Sequence, residues 1–97
     1  MKRLRFTSPA NLDYSEAVTW YEERQPGVGR QFEDELEKLF ERIRQRPEHF
    51  PKVTPTVRKA QLPRFRYKIL FTVEGDEIGV LAIYHPSRNP EALQRRF

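Results

Sequence analysis

Two stretches of alternating apolar and polar residues flank a Gly75-Asp76 pair in the second half of the chain. Gly in a two-residue loop is a β-hairpin signal, because Gly tolerates the positive φ that primed turns need. The sequence therefore predicts two antiparallel strands between Arg66 and His85, in a register fixed by the loop. On the face expected to meet the core, this register pairs Glu74 with Glu77, Val73 with Ile78, Phe71 with Val80, Ile69 with Ala82 and Tyr67 with Tyr84.

The other face of the predicted hairpin changes character along its length. The same register pairs Thr72 with Gly79, Leu70 with Leu81, Lys68 with Ile83 and Arg66 with His85. This face begins mixed and becomes basic at the end far from the turn. We therefore expect the hairpin to supply both a core surface and a candidate functional surface.

A first amphipathic helix is predicted to follow a short strand over residues 2–6. Ser8 is expected to accept hydrogen bonds from the free amides at the helix start, and Pro9 suits the first helical position. The helix should end near residues 25–27, where Pro disfavours helix before it and Gly closes the turn. Its apolar stripe contains Ala10, Tyr14, Ala17 and Tyr21, with Val18 and Trp20 widening it.

A second amphipathic helix is predicted from the Val28–Gln31 region to Pro47. Its apolar residues recur at helical spacing while most other positions are charged, and they are Val28, Phe32, Leu36, Leu39, Phe40 and Ile43. The short link between the two helices predicts an antiparallel helical hairpin. Both helices should pack their stripes against the sheet.

The remaining pattern completes an α+β two-layer sandwich. A Pro-punctuated loop precedes a strand at Thr56–Leu62, and the central hairpin then makes a three-stranded antiparallel meander. The N-terminal strand should join this sheet at an edge or in the middle. Residues 91–97 are expected to form a short tail, as one helical turn or without regular structure. We expect a single domain over residues 1–97.

Charge is distributed unevenly over a chain whose net charge is +4. Residues 1–50 contain nine Lys or Arg and ten Asp or Glu, whereas residues 51–97 contain nine and four. From His49 to Val73 there are six basic residues and no acidic one. A one-sided positive field of this kind favours nucleic acid or an acidic protein as the partner.

Several classes of function lack their sequence signals. There is no cysteine, no Gly-rich phosphate loop, and no pair of histidines or cysteines at metal-ligand spacing. No apolar run is long enough to span a bilayer, and the charged N-terminus does not look like a signal peptide. We expect a cytoplasmic protein without a cofactor, metal or membrane partner.

Candidate chemistry concentrates at the basic end of the hairpin. His85 is a candidate for proton transfer, whereas Tyr84 should point to the core unless a bulge or the end of the strand releases it. The residues suited to hold a phosphate or an acidic partner are Arg58, Arg64, Arg66, Lys68 and Arg88. In the alternative interpretation His85 only closes the sheet edge. Trp20 and Tyr21 are interpreted as core residues rather than a ligand platform.

The order of these short motifs resembles the RelE/ParE superfamily of type II toxin–antitoxin toxins, in particular the ParE-like, plasmid stabilisation branch. The resemblance covers almost the whole chain. It includes Ser8-Pro9-Ala10, Ala17-Val-Thr-Trp-Tyr21, Gly29-Arg-Gln-Phe32, Arg46-Pro47, Val57-Arg58, Tyr67-Lys-Ile69 and Ile83-Tyr-His85-Pro-Ser-Arg88-Asn-Pro90. It implies a toxin kept silent by a cognate antitoxin, in a toxin–antitoxin hetero-oligomer.

Two mechanisms of different class follow from this resemblance. ParE-like members poison DNA gyrase, which implies a toxin that acts by binding. RelE-like members cut messenger RNA on the ribosome without a metal, and the matching positions for that activity are Arg58, Arg64, Arg66, Tyr84 and His85. A third alternative is an RNA-binding relative without toxicity. The chain departs from the RNA cutters because no acidic general base lies near its basic face in sequence.

Overall fold

The computed structural model describes residues 2–88 and has the α+β architecture that the sequence predicts. No helix in this part of the chain has the length and apolarity needed to cross a membrane. The predicted tail at residues 91–97 lies outside the described residues. The elements are β1 (Arg3–Phe6), α1 (Ser8–Arg24), α2 (Val28–Gln45), a short 3-10 helix (Pro47–His49), β2 (Arg58–Leu62), β3 (Tyr67–Glu74) and β4 (Glu77–Tyr84).

The four strands form one mixed sheet in the order β1-β4-β3-β2. The last three strands make the expected antiparallel meander. β1 joins the edge of the sheet parallel to β4, with Phe6 opposite Val80. The helical hairpin between β1 and β2 carries the chain across one face of the sheet to the opposite edge, and no helix of residues 2–88 covers the second face.

The core lies between the helical hairpin and the sheet. The predicted α2 stripe is confirmed, because its central residues are at most 2% exposed. From α2 the core takes Phe32, Leu36, Leu39, Phe40 and Ile43, and from the sheet it takes Ala60, Leu62, Tyr67, Ile69, Phe71, Ile78, Val80 and Ile83. α1 adds Ala10 and Ala17, with Tyr14, Val18 and Tyr21 packed against them.

Thr7, rather than Ser8, caps the start of α1. The Thr7 hydroxyl oxygen accepts a hydrogen bond from the amide of Ala10 at 3.2 Å. The expectation for Ser8 is wrong because Thr7 has the extended backbone of a capping residue, φ −67° and ψ 160°, whereas Ser8 is already helical. The same hydroxyl donates to the carbonyl of Leu81 in β4 at 3.4 Å.

Glu22 and Gly29 hold the junction between the two helices. The Glu22 carboxylate accepts from the amides of Gly27 and Gly29 at 2.9 and 3.0 Å. It therefore satisfies free donors at the start of α2, where a negative charge also suits the helix dipole. A side chain at Gly29 would place its Cβ 2.7 Å from the carbonyl oxygen of Val18, so only glycine fits this close approach.

The central hairpin keeps the predicted register only over its first half. Phe71 lies opposite Val80 as expected, and the three predicted pairs nearer the turn are also formed. Beyond them a β-bulge shifts the register, so Leu70 lies opposite Ala82 and Leu81 is the additional residue of β4. The bulge therefore makes five of the predicted pairs wrong, namely Ile69–Ala82, Tyr67–Tyr84, Leu70–Leu81, Lys68–Ile83 and Arg66–His85. In the observed register Ile69 lies opposite Ile83, and Lys68 lies opposite Tyr84.

The bulge lies where β1 leaves the edge of the sheet. β1 pairs with β4 only as far as Val80, after which the chain turns into α1. Beyond Val80, Asp13 of α1 supplies a hydrogen-bond acceptor for β4 in place of β1. Its carboxylate accepts from the amide of Ile83 at 3.0 Å. The shift of one residue turns Ile83 into the core and Tyr84 to the opposite face.

Candidate functional site

The two ends of the sheet differ in their charge. Around the Gly75-Asp76 turn lie Glu74, Asp76 and Glu77, and Arg3 and Arg5 of β1 pair with the last two. The opposite end, called the basic end below, comprises Arg66, Lys68, His85 and Arg88. It is formed where β3 begins and β4 ends. The face expected to become basic here keeps Lys68, whereas His85 lies on the other side, against Tyr67.

Arg66 occupies a tight turn between β2 and β3. Its φ of 60° is positive, which is uncommon for a residue other than glycine. The amide of Arg66 donates to the carbonyl of Leu62 at 2.8 Å, and this bond closes the turn after Pro63. The turn exposes Arg66 at the basic end, directly before the buried Tyr67.

His85 lies on the helix-facing side of the sheet, against Tyr67. The two rings meet edge to face with centroids 5.6 Å apart. Partial burial lowers the pKa of His85, and the positive charges of Arg88 and Arg66 lower that pKa further. The imidazole is therefore neutral near pH 7.

The neutral His85 imidazole has one nitrogen already engaged. Its Nδ1 accepts a hydrogen bond from the amide of Ser87 at 3.2 Å. In a neutral imidazole one nitrogen accepts and the other carries the proton, so Nε2 is a hydrogen-bond donor here. This tautomer suits the binding of an anion and does not suit proton abstraction.

Arg88 is stacked on the aromatic residues of α1. Its guanidinium carbon lies 3.7 Å from the ring centroid of Trp20, and its Nη2 donates to the Tyr21 hydroxyl at 3.0 Å. Arg24 lies at the same 3.7 Å from the Trp20 ring. Two guanidinium groups cannot share one face at that distance, so the indole lies between them.

A cleft of about 350 Å³ opens beside this stack. It is lined by Asp13, Glu16, Ala17, Trp20, Tyr67, Ile83 and Arg88. The cleft therefore has an acidic wall from α1, an arginine opposite and an aromatic floor. With two carboxylates beside a single arginine, this lining is unfavourable for a polyanion.

Tyr84 and Lys68 lie on the helix-free face of the sheet, opposite each other on β4 and β3. This face, called the open face below, carries an apolar cluster of Val57, Leu70, Leu81, Ala82 and Tyr84. Burial in this cluster raises the pKa of the Tyr84 hydroxyl. The phenol is therefore a weaker acid than an exposed tyrosine.

The structure does not bring Arg58, Arg66 and His85 together on the open face. Arg58 lies opposite Phe71, four residues along β3 from Tyr67, and its Nη1 donates to the carbonyl of Phe50 at 2.7 Å. Arg58 thus holds the loop that follows the 3-10 helix. The bulge removes His85 from the open face, so the structure brings together Arg66, His85 and Arg88 instead.

Arg64 also lies away from the other candidates. Its Nη2 donates to the side-chain oxygen of Gln31 in α2 at 3.0 Å, and its guanidinium lies over the ring of Phe65. Arg64 is therefore a surface residue on the helix side. Among residues 2–88, no group of three or more His, Asp or Glu side chains is arranged to hold a metal ion.

Trp20 is the site residue that sequence reasoning missed. It was interpreted as core, yet it is half-buried and lies outside the core cluster. The usable signal was the pair Trp20 and Arg24 at the i and i+4 positions of α1, which lie on the same helix surface. No comparable spacing predicts the contact between Arg88 and Trp20, because Arg88 lies far from α1 in the sequence.

Comparison with known proteins identifies this chain as a toxin of the RelE/ParE superfamily, as the sequence motifs indicated. A family model described as the ParE toxin of the type II toxin–antitoxin system, parDE, matches residues 4–90. The chain therefore belongs to the ParE toxin family.

The similarity to known relatives extends over nearly the whole chain. Toxin ParE2 of Mycobacterium tuberculosis, in strains H37Rv and CDC 1551, is 28% identical over 94 residues, which cover 96% of this chain and 90% of the relative. A solved structure described as the chromosomal ParDE TA system from P. aeruginosa matches with a TM-score of 0.75 and 24% identity. That match covers 88% of this chain and 96% of the other, and it supports the fold.

Proposed function

We propose that this protein is a ParE-like toxin that inhibits DNA gyrase by binding it, in the cytoplasm, rather than by cutting messenger RNA. Membership of the ParE family supports the toxin role. The observation that carries the binding mechanism is the separation of the two candidate proton-transfer groups. Tyr84 lies in the open-face cluster, whereas His85 contacts Tyr67 on the helix side.

A metal-independent ribonuclease needs a proton acceptor and a proton donor on either side of one phosphate, with cations to stabilise it. In this protein His85 presents a protonated Nε2, and burial makes Tyr84 a weaker acid. The two groups do not face a common site. Arg66 and Arg88 remain available to bind, so the basic end favours a binding role.

Expression of the protein alone in cells, with parallel measurement of plasmid supercoiling and messenger RNA cleavage, tests this proposal. We expect loss of negative supercoiling with intact messenger RNA. The matched variant is His85→Gln, which removes proton transfer and keeps a polar side chain of similar reach. Cleavage at defined codons by the wild type, lost in His85→Gln, would instead support the RelE-like ribonuclease.

We further propose that a cognate antitoxin silences the toxin with an acidic, partly apolar segment. The open face offers an apolar cluster centred on Leu70 and Ala82, beside Lys59 and Lys68. A disordered segment that folds on binding covers such a surface efficiently. Binding by this route should weaken as salt increases. Affinity that is independent of salt would contradict the charged part of the proposal.

A further inference from the structure

Two hydrogen-bond donors, His85 and Arg88, lie against the ring of Tyr67 at the basic end, and Arg66 lies close enough to act on His85. His85 meets this ring edge to face, and the Arg88 guanidinium carbon lies 5.4 Å from the ring centroid. Arg66 precedes Tyr67 in the chain, and its charge acts on His85. The tight turn at Arg66 and the bulge in β4 together create this arrangement.

The donors at this corner lack an acidic partner in the part of the chain that the structure describes. Arg88 donates through Nη2 to Tyr21, but its Nη1 is buried without a hydrogen-bond partner. Neither Arg66 nor Arg88 has a carboxylate of residues 2–88 within ion-pair distance. A buried donor without an acceptor costs free energy, which a ligand that supplies an acceptor would recover.

We propose that Arg66, His85 and Arg88 form an anchor for one carboxylate side chain of the antitoxin. This inference rests on the proposed function, since it assigns the partner to that same basic end. A guanidinium fork matches the two oxygens of a carboxylate, and the His85 Nε2–H supplies a further donor. The anchor is separate from the apolar cluster of the open face, so it adds a second point of attachment.

The acidic wall of the adjoining cleft favours a carboxylate over a nucleic-acid backbone. Asp13 and Glu16 of α1 line the same cleft as Arg88. A nucleic acid brings one negative charge with every nucleotide, and these carboxylates would repel the neighbouring phosphates. A single acidic side chain of a protein brings only one charge near them and therefore meets less of that repulsion.

The anchor couples antitoxin binding to pH. The groups around the imidazole are Arg66 and Tyr67 from the turn and β3, Arg88 from the same segment as His85, and Tyr21, Asp13 and Glu16 from α1. A bound carboxylate offsets the two arginine charges, so it raises the pKa of His85. By linkage, protonation of His85 must then strengthen binding, and affinity should increase as pH falls.

A nuclear magnetic resonance titration of the purified full chain tests the anchor without antitoxin or gyrase. The imidazole signals of His85 and His49 are followed from pH 5 to pH 8, alone and with an acetylated, amidated Gly-Gly-Glu-Gly-Gly peptide that carries a single carboxylate. We expect the peptide to move the His85 titration midpoint upward and to change Trp20 fluorescence. A rise of about one pH unit corresponds to about tenfold tighter binding at low pH. His49, at the end of the 3-10 helix, reports on general ionic effects.

Two variants sharpen the result. Arg88→Gln should abolish the response of His85, whereas Arg30→Gln, the same charge change at an exposed position of α2, should retain it. Equal responses of His85 and His49 would overturn the anchor, as would a larger His85 response to a single-stranded hexanucleotide than to the single-glutamate peptide. If Arg88→Gln does not fold, the wild-type titration decides alone. Because gyrase is absent, this outcome is independent of the supercoiling test.

Discussion

Tyr84 and His85 are consecutive in the chain, yet their side chains lie on opposite faces of the sheet. Tyr84 packs in the open-face cluster, and His85 packs against Tyr67 beneath the end of α1. One scissile phosphate cannot contact both groups through the sheet. The relationship therefore favours the proposed binding mechanism over the ribonuclease mechanism.

Leu36 should be among the most costly residues to truncate. Its side chain is fully buried between the helices and the sheet. Leu36→Ala is expected to lower the free energy of unfolding by about 2–5 kcal/mol in urea denaturation. The control is Leu12→Ala, at a leucine that is 58% exposed, which should change stability by less than about 0.5 kcal/mol. Equal losses in the two variants would contradict the assignment of the core.

Gly29→Ala should destabilise the protein even though alanine favours helix. The added Cβ would lie 2.7 Å from the Val18 carbonyl oxygen and 2.8 Å from Glu22, so the two helices must separate. We expect a loss of about 1–3 kcal/mol in thermal or urea unfolding. Thr19→Ala, at an exposed position of α1, should be neutral or stabilising. A gain of stability in Gly29→Ala would contradict the close helix contact.

Arg58 should contribute to folding through its bond to the Phe50 carbonyl. Arg58→Met keeps the aliphatic stem and removes the donor, so we expect a loss of about 1.5–3 kcal/mol in urea denaturation. Lys52→Met removes the same charge from an exposed position of the adjoining loop and should have little effect. If both variants unfold at the same urea concentration as the wild type, the Arg58 hydrogen bond does not contribute to the free energy of unfolding, which would contradict this prediction.

Stability should decrease at mildly acidic pH because of His85. Its folded-state pKa is lowered by burial and by Arg88 and Arg66, so the unfolded chain binds more protons than the native protein. The loss begins near the ordinary histidine pKa of about 6.5 and continues until the folded-state pKa is passed. His85→Gln should reduce the slope of unfolding free energy against pH over this window. A slope that is unchanged in His85→Gln would contradict this account.

Regular periodicity allowed most of the fold to be predicted from the sequence. The α2 stripe from Phe32 to Ile43 and the pairing of Phe71 with Val80 follow from spacing alone. The bulge at Leu81 does not, because its cause is the departure of β1 from the sheet edge and the carboxylate of Asp13 from another element. The site was mispredicted for the same reason, since a shift of one residue exchanges the faces of Ile83 and Tyr84.

The most direct test of the binding mechanism is a supercoiling assay with purified DNA gyrase and purified toxin, run beside a ribosome-dependent messenger RNA cleavage assay. The account predicts that the wild type and His85→Gln inhibit supercoiling to a similar extent and that neither cuts messenger RNA. Messenger RNA cleavage by the wild type that disappears in His85→Gln, with gyrase unaffected by either protein, would contradict it.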